Sequence, residues 1–521
     1  MDARHKVLWA DDEIDLLRSH HLYLSERGYE VTPVTNGEDA IALAQTVHFD
    51  LILLDEMMPG LDGLSTLEQL KTNDPNIPII MITKNEEEHL MDEAIGRRID
   101  DYLTKPVNPS QIFMACKKIL DARQIRQSQA GQAYVSKAQQ IREWLSGDVS
   151  WRNWIDVHRL LCEWDIEIGR IGDPGLQQMI EDQRKECNHA FARYVVQNYP
   201  VWVDSEQDSP PLSVDVVPET VAPLLERNRK VFLIVIDCLR LDHWMILEPM
   251  VSEFFNVRRN YQYSILPTAT PYARNAIFAG LFPAEIARKY KKLWSDGGNE
   301  DEGSLNRHEH RFLDDQIADM GIQLDGDSRY VKILDAAEGQ SLARKVESLG
   351  KVPLVSAVYN FLDMLVHGRS HSQLLREIAP DECGFRSLVL SWFENSSLFE
   401  LLKKLASATD YTVVITTDHG AVKGTRATMV HGDRSTSSSL RYKLGRNLRC
   451  DIKDALLIDD PEAFGLPHTG LGSNYLIAKE DFYFVYPTNF NEHQRQYKDS
   501  FQHGGISLEE MILPLVTLEP S

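Results

Sequence analysis

Residues 51–63 read LILLDEMMPGLDG, an apolar run that ends at Asp55. Other short apolar runs occur in the first 120 residues, and amphipathic stretches with helical spacing separate them. This alternation predicts an α/β domain with a doubly wound parallel sheet. The predicted strands are Val7–Ala10, Leu51–Leu54, Ile79–Ile82 and Tyr102–Leu103, and the predicted helices are Glu13–Glu26, Glu38–Gln45 and Leu64–Lys71.

Chemically active side chains follow the predicted strands. Asp11 and Asp12 follow the first strand, Asp55 ends the second, and Thr83 and Lys105 follow the later two. Because the carboxyl ends of parallel strands share one edge of the sheet, these side chains should meet there. Three converging carboxylates suit Mg²⁺, and a lysine with a hydroxyl completes a site for an acyl phosphate on one aspartate.

This set resembles the receiver domain of two-component response regulators over about residues 4–122. The motifs are DDE at 11–13, D-x-x-M-P-G-x-D-G at 55–63, Thr83, Tyr102 and Lys105-Pro106. The resemblance implies a histidine kinase as partner and Asp55 as phosphoacceptor, with Thr83, Tyr102 and Lys105 as switch residues. It also implies Mg²⁺ held by Asp11, Asp12, Asp55 and the Met57 carbonyl.

The rest of the chain divides into three parts. Residues 123–203 have few strand signals and apolar residues at helical intervals, which predicts a bundle of about three helices. No tight helix-turn-helix signature occurs in it, so we interpret it as a coupling bundle. Residues 204–222 have the composition of an exposed linker. Residues 223–521 are predicted to form a second α/β domain, with strands Val231–Ile236, Val355–Tyr359, Tyr411–Thr416 and Ile512–Val516.

Composition excludes several classes of protein. Lys plus Arg number 55 and Asp plus Glu 78, so the formal charge is −23, which argues against sequence-independent binding of duplex DNA. The 6 cysteines contain no CxxC pair, which argues against a disulfide framework and a thiolate zinc site. The N-terminal residues do not resemble a signal peptide, and no apolar run is long enough to span a bilayer. We therefore expect a cytoplasmic protein without membrane contact.

Short signals in the last domain place metal-binding side chains near strand ends. Aspartate and histidine ligands without sulfur, around one hydroxyl, suit two Zn²⁺ ions that clamp a phosphoryl group. One ion lowers the pKa of the nucleophile, and the other holds the leaving oxygen or the water that follows. The signals are Asp237 after VFLIVI, Thr270 in PTATP, Asp363 and His367 in FLDMLVHG, Asp418-His419-Gly420 after YTVVITT, and His503 in HGGISLEEMILPL.

The order of these signals resembles the alkaline phosphatase superfamily, and within it the PglZ domain. The resemblance implies Thr270 as nucleophile, one zinc on Asp363, His367 and His503, and a second zinc on Asp237, Asp418 and His419. A receiver joined through a helical bundle to a PglZ domain resembles the PorX-type regulators of the type IX secretion system.

Two branches of the superfamily do not match. Sulfatases mature a cysteine or serine in C-x-P-x-R, whereas this chain has Thr270-Pro271-Tyr272-Ala273-Arg274. Cofactor-independent phosphoglycerate mutases use serine as the nucleophile. A phosphomonoesterase or a phosphodiesterase remains.

A basic segment bears on the substrate. Residues 421–450 have a local charge of +6, which indicates either a solvated surface loop or a rim that attracts polyanions. The second interpretation favours nucleotide or oligonucleotide diesters, bound by Arg441, Lys443, Arg446 and Arg449. The cations of the segment are Lys423, Arg426, Arg434, Arg441, Lys443, Arg446 and Arg449, against the single acid Asp433.

Three functional hypotheses follow. The first is a response regulator with a two-zinc phosphodiesterase or phosphatase as its output. The second is a phosphorylation-switched adaptor with a structural zinc site, which binds a sigma factor or a secretion component. The third, a direct transcription factor, is the weakest because no DNA-binding module is recognisable. In the first, phosphorylation is expected to promote a homodimer through the last receiver helix, including Ile112, Ala115 and Ile119.

Overall fold

The computed structural model describes residues 5–74, 76–84, 99–204, 208–291, 293–294, 306–408, 410–433, 437–468, 470, 472–488 and 490–520. The chain divides into two compact units. The first comprises Met1–Lys137 with Glu167–Gln177, and the second comprises Ala138–Ile166 with Gln178–Ser521. No helix in the described ranges is both long enough and apolar enough to cross a membrane.

The first unit contains a five-stranded parallel sheet with the order β2-β1-β3-β4-β5. This order is that of a doubly wound receiver fold, as predicted. Its strands are β1 His5–Ala10, β2 Tyr29–Val34, β3 Leu51–Asp55, β4 Ile79–Thr83 and β5 Asp101–Thr104. Its shorter helices are the 3₁₀ turn Ile14–Leu17, Arg18–Ser25, Gly37–Ala44 and Gly63–Asn73.

Burial explains which strands the sequence reveals. Strand β3 is buried at every position because alternate residues pack into apolar clusters on the two faces of the sheet. The edge strand β2 was not predicted. It alternates buried and exposed residues and includes Pro33, so it lacks the continuous apolar run of a central strand.

Three long helices confirm that the middle segment is helical, and each contributes residues to both units. They are Pro109–Leu145, Trp151–Ile171 and Pro174–Asp204. The first helix begins within the predicted receiver and continues past its predicted end at 122. Ile112, Ala115 and Ile119 are buried against the receiver core, so the prediction that they form a dimer face is wrong. On the same helix, Met114 is exposed.

The second unit contains a six-stranded mixed sheet with the order β7-β18-β10-β6-β9-β8. Strands β10, β6, β9 and β8 are parallel, whereas β18 pairs antiparallel with both β10 and β7. The six strands are β6 Lys230–Ile236, β7 Phe255–Tyr263, β8 Arg329–Ile333, β9 Leu354–Tyr359, β10 Tyr411–Thr416 and β18 Ile512–Pro520. Each strand predicted in this domain lies within one of them.

Smaller sheets and helices surround this sheet. The short strands are β11 Val422–Gly424, β12 Arg426–Met429, β13 Tyr442–Arg446, β14 Ala455–Ile458, β15 Ser473–Ala478, β16 Phe482–Val485 and β17 Ser500–Gln502. The helices are Ala222–Glu226, Leu241–Val251, Thr270–Ala279, Pro283–Lys289, Glu309–Asp319, Ala336–Lys345, Phe361–His371, Gln373–Ile378, Glu382–Glu394, Ser397–Ala408, Phe490–Tyr497 and Leu508–Met511.

The predicted linker, 204–222, is not an exposed linker over its described second half. Residues 213–221 form a 3₁₀ turn and a π-helical turn. Val216, Val217 and Val221 pack into the same apolar cluster as alternate residues of β6. The linker prediction rested on the proline and acidic residues of the segment. Its valines are buried against the sheet, and this burial stabilises the segment there.

Candidate functional site

The first candidate site lies at the carboxyl edge of the receiver sheet. Donor atoms of Asp11, Asp12 and Asp55 lie within 4.8 Å of one another, in an arrangement that could hold a metal ion. Lys105 Nζ lies 2.8 Å from Asp55 Oδ1 and 3.0 Å from Asp11 Oδ2. The structure therefore brings together the carboxylates and the lysine that the strand ends predict.

Burial sets the electrostatics of this site. It raises the pKa of Asp55 to about 6, although the hydrogen bond from Lys105 opposes the shift. Burial alone would lower the pKa of Lys105, but its hydrogen bonds to Asp55 and Asp11 and the negative charges of these residues together outweigh that effect and raise it. Lys105 is therefore a cation held beside the phosphoacceptor candidate, which suits it to pair with phosphoryl oxygens.

The predicted switch residues lie next to this cluster. Thr83 is buried and its hydroxyl contacts the carboxylate of Glu56. Tyr102 is 39% exposed. The Met57 side chain is exposed, which is consistent with a contribution from its carbonyl only. The roles of these three residues stay predictions.

The second candidate site lies at the carboxyl ends of β6, β9 and β10. Asp237 follows β6, Asp363 lies in the first turn of the helix after β9, and Asp418-His419 follows β10. His503 follows β17, which pairs with β11 just beyond Asp418-His419. Thr270 is the first residue of the helix Thr270–Ala279. Pro271 favours the start of a helix at this point, and Gly280, at φ +59°, caps its C-terminal end.

Five of the six predicted zinc ligands meet in two overlapping groups. Donor atoms of Asp237, Asp418 and His419 lie within 4.8 Å of one another, and so do those of Asp363, His419 and His503. His419 thus belongs to both groups, although the family resemblance implies that it belongs to one. His367 adjoins the second group, with Nε2 3.1 Å from His503 Nε2 and 3.4 Å from Asp363 Oδ1.

The hydroxyl of Thr270 lies at the junction of the two groups. Its Oγ1 is 3.0 Å from Nε2 of His419, and the residue is 7% exposed. Thr270 is also at the N-terminus of its helix of 10 residues, where free backbone N–H groups and the helix dipole stabilise the negative charge of a phosphoryl group. A hydroxyl placed there has the surroundings that a nucleophile toward phosphorus requires.

The donor groups fit divalent cations. Burial and the neighbouring Asp418 raise the pKa of Asp237 despite Arg274. Among the described residues, no hydrogen-bond donor reaches the buried atoms Asp237 Oδ1 and Asp418 Oδ2. Burial and the neighbouring His419 lower the pKa of His503, which keeps the ring neutral as a metal ligand must be. Buried carboxylate oxygens without donors, beside neutral imidazoles, are suited to Zn²⁺.

The residues that position Asp237 are not among the predicted site residues. The Arg274 guanidinium donates to Asp237 and, at 2.6 Å, to Glu309, and it lies 3.8 Å from Asp418 Oδ2. The Tyr330 hydroxyl donates to Glu309 in turn. Arg274 lies four residues after Thr270 and therefore on the same face of the helix. This spacing could have indicated that Arg274 belongs to the site. Glu309 and Tyr330 had none, because only the fold brings them there.

The basic segment does not form the predicted rim. Arg441 is fully buried and pairs with Glu510, with Nε 3.2 Å from Oε1, and Lys443 is 1% exposed. The prediction that these two residues contact substrate from a surface rim is therefore wrong. Arg446 and Arg449 are exposed, as predicted. Of the others, Lys423 lies near Asp499, Arg426 pairs with Glu480 and Asp481, and Arg434 is outside the described residues.

Burial of Lys443 makes a prediction about stability. Burial lowers its pKa from 10.5 to about 8, so between these pH values the unfolded chain binds a proton that the folded chain does not. Stability from this group therefore rises with pH from 8 to 10.5. We expect Lys443→Met to raise the free energy of unfolding at pH 7 by about 2 kcal/mol, a gain that falls to roughly a quarter near pH 10. Urea unfolding at both pH values measures it.

The exposed Arg446 provides the matched control. Arg446→Met should change the free energy of unfolding by less than about 0.5 kcal/mol at either pH. A Lys443→Met variant that is less stable than wild type at pH 7 would contradict the prediction. It would mean that the hydrogen bond from Nζ to the Ser437 carbonyl, 2.9 Å long, outweighs the cost of the buried charge.

Comparisons with known proteins agree with this architecture. A family model described as the BREX system PglZ alkaline phosphatase-like domain matches residues 216–518, more than half of the chain. The chain belongs to this alkaline phosphatase-like family. A response regulator receiver domain matches residues 7–117, and a PorX response regulator linker domain matches residues 124–203. Together the three domains are those of a PorX-type two-component response regulator.

Relatives of known name match a shorter part. The alkaline phosphatase synthesis transcriptional regulatory protein PhoP of Bacillus subtilis (strain 168) is 37% identical over 122 residues, 23% of this chain and 50% of that protein. The transcriptional regulatory protein ResD of the same organism is 36% identical over 115 residues, 22% and 48% of the two chains. The chain thus spans about half the length of these relatives. A CheY-like receiver domain protein from Methanospirillum hungatei JF-1 is 28% identical, with 23% of this chain and 95% of that chain covered and a TM-score of 0.22.

Proposed function

We propose that this chain is a cytoplasmic response regulator whose output is the zinc-dependent hydrolysis of phosphate esters. A sensor histidine kinase would supply the phosphoryl group of Asp55, with Mg²⁺ bound by Asp11, Asp12, Asp55 and the Met57 carbonyl. The observation that carries the proposal is the position of the Thr270 hydroxyl, 3.0 Å from a histidine common to both groups of ligand atoms. A structural zinc site has no need of a hydroxyl there, which favours an enzyme over an adaptor.

The residues present divide the work of hydrolysis among them. Asp237, Asp418 and His419 would hold one Zn²⁺, and Asp363, His367 and His503 the other. Two bound ions supply positive charge that stabilises the attacking and leaving oxygens. Thr270 Oγ1 forms a bond to phosphorus as the bond to the leaving oxygen breaks, which gives a phospho-threonine. Attack by water on phosphorus then releases the phosphate product and restores the hydroxyl.

Arg274 takes the part of a positioning residue in this scheme. It is 1% exposed and its guanidinium is shared between Asp237 and Glu309. This arrangement fixes the orientation of Asp237 and offsets part of its negative charge. Partners of this kind around a metal ligand commonly govern metal affinity.

For the substrate we propose a nucleotide-type phosphodiester, such as a short oligonucleotide or a cyclic species. The exposed Arg446 and Arg449 support a polyanionic substrate, whereas Arg441 and Lys443 no longer do. The role we propose in regulating type IX secretion rests on the likeness to PorX-type regulators. Two experiments test the function: metal content by mass spectrometry, and a hydrolysis screen of nucleotide monoesters and diesters. Protein without stoichiometric zinc, never exposed to chelator, would contradict it.

Phosphorylation of Asp55 is expected to act through self-association. A charge change at this residue needs a two-state element to report it, and the buried Thr83 with the accessible Tyr102 can supply one. An acyl-phosphate mimic with Mg²⁺ should shift the chain from monomer toward dimer in sedimentation. A twofold dimer is the commonest product of such association.

The control for this prediction is Asp55→Ala, which should stay monomeric with the mimic. The exposed Met114 is the position for a second variant on the last receiver helix. Ile112, Ala115 and Ile119 are buried, so their side chains are not available for a contact between two chains. Wild-type protein with the same mass with and without the mimic, from micromolar concentrations upward, would rule this mode of regulation out.

A further inference from the structure

The turn that begins the helix Leu508–Met511 binds the loops of two metal ligands. The backbone N–H of Gly420, next to His419, donates to the Glu510 carbonyl at 3.2 Å. The backbone N–H of Gly505, two residues after His503, donates to Glu510 Oε1 at 2.8 Å. Glu510 is fully buried, so one residue fixes the backbone beside both histidines.

The approach of the His419 loop to this turn is unusually close. A Cβ atom on Gly420 would overlap the carbonyl oxygen of Glu509. Only glycine therefore allows the two backbones to touch. Because no side chain separates them and the Gly420 N–H is bonded to the Glu510 carbonyl, a displacement of this turn is passed to Gly420, next to His419.

Asn188, on the helix Pro174–Asp204, forms hydrogen bonds to this turn with both the oxygen and the nitrogen of its side-chain amide. Its Oδ1 accepts the backbone N–H of Leu508 at 2.8 Å. Its Nδ2 donates to Glu509 Oε2 at 3.0 Å. Asn188 and Glu509 are 5% and 3% exposed, so water does not compete for these bonds.

A second residue of the same helix holds the other side of the Glu509 carboxylate. Arg184 Nε lies 3.5 Å from Glu509 Oε1, and Arg184 Nη2 lies 2.9 Å from Asp165 Oδ2. Burial alone would raise the pKa of Glu509, but Arg184, His158, Arg240 and the hydrogen bond from Asn188 together outweigh it, and the pKa is lowered. The carboxylate is thus ionised and fixed from two sides by one helix.

From these contacts we infer that Asn188 is a positioning residue for His419 and His503, so that the helix Pro174–Asp204 governs metal binding at the candidate site. The inference rests on the proposed function, because it concerns the same zinc ligands. It assigns the helical segment a part in building the site. A shift of the helix would move Leu508 and Glu509, and through Gly420 and Gly505 it would move a ligand of each zinc group.

An exchange of the two partners tests the inference in the full-length protein. Asn188→Asp replaces the hydrogen bond from Asn188 Nδ2 to Glu509 Oε2 with a repulsive contact between two carboxylates. The double variant Asn188→Asp with Glu509→Gln restores one donor and one acceptor with the total charge unchanged, and the introduced carboxylate can still accept the Leu508 N–H. Such a cycle separates the contact from the side chains that make it.

Asn198→Asp is the matched control. Asn198 lies on the same helix, and its Nδ2 donates to the Tyr194 carbonyl within that helix. Two readouts apply to all variants: Zn²⁺ affinity in competition with a chelator, and the visible absorption of bound Co²⁺. The Co²⁺ spectrum reports ligand geometry, which a loss of general stability alone would not alter.

We expect Asn188→Asp to weaken Zn²⁺ binding by about tenfold or more and to alter the Co²⁺ spectrum. The exchanged double variant should return to within about threefold of wild type, and Asn198→Asp should match wild type. Should Asn188→Asp not fold, Asn188→Ser, which adds no charge, takes its place. Wild-type affinity and spectrum in the folded Asn188 variant would overturn the inference alone. Absence of Zn²⁺ binding by wild-type protein would overturn both it and the proposed function.

Discussion

Thr270→Ala should lower kcat/KM for phosphate esters by about 10³-fold or more, while two zinc ions remain bound. In the proposed mechanism the hydroxyl supplies the bond to phosphorus, and alanine has no group that can replace it. Thr270 is not among the six predicted ligands, so metal content should not change. Steady-state hydrolysis with metal analysis of the same sample measures both quantities.

Thr270→Ser is the control for this prediction. It keeps a hydroxyl at the start of the helix Thr270–Ala279 and should retain hydrolysis within about a hundredfold of wild type. Unchanged turnover in Thr270→Ala would remove the covalent mechanism and leave direct attack by water. Loss of zinc from Thr270→Ala would instead show that the residue holds the site together.

His419→Ala should remove both zinc ions and lower hydrolysis by at least about 10³-fold. His419 is fully buried, it is a proposed ligand of one ion, and its ring stacks at 4.1 Å between centroids on that of His503, a proposed ligand of the other. By contrast, the His367 side chain is 44% exposed and adjoins one group only. His367→Ala should therefore keep one zinc per chain, on Asp237, Asp418 and His419.

The two histidine variants control each other, since each removes one imidazole from the same site. Zinc per chain, measured by mass spectrometry after the same purification, should be close to none for His419→Ala and close to one for His367→Ala. Equal zinc content in the two variants would contradict the shared position of His419. Circular dichroism of both variants separates loss of a ligand from loss of the fold.

Both candidate sites could be predicted from the sequence because their residues follow strands. Asp55 and Asp237 each end an apolar run, and parallel strands bring such positions to one edge. The regularity of the sheet therefore converts spacing in the sequence into proximity in space. Asp363 and His367 share a helix face for a similar reason, since their separation is about one turn.

Contacts between remote segments could not be predicted in this way. Arg441 looked like a surface cation because its neighbours are cationic, yet Glu510, 69 residues away, buries it in an ion pair. Asn188 and Glu509 are 321 residues apart, and nothing in their local sequence announces the contact. The valines of residues 213–221 did not alter the prediction of an exposed linker, because the average composition of the segment does not show which face it buries.

On the ribosome, the receiver sheet becomes complete long before the sheet that carries Asp418 and His419. Strands β1 to β5 all lie within residues 5–104, whereas β18, at Ile512–Pro520, lies between β7 and β10. Until β18 has been synthesised, β7 and β10 lack the strand that joins them. At roughly 5–20 residues per second, the interval is about 20 to 80 seconds. A nascent chain can thus fold the proposed phosphoacceptor site before the proposed hydrolase exists, so the receiver would be in place before any hydrolysis by the second unit could begin.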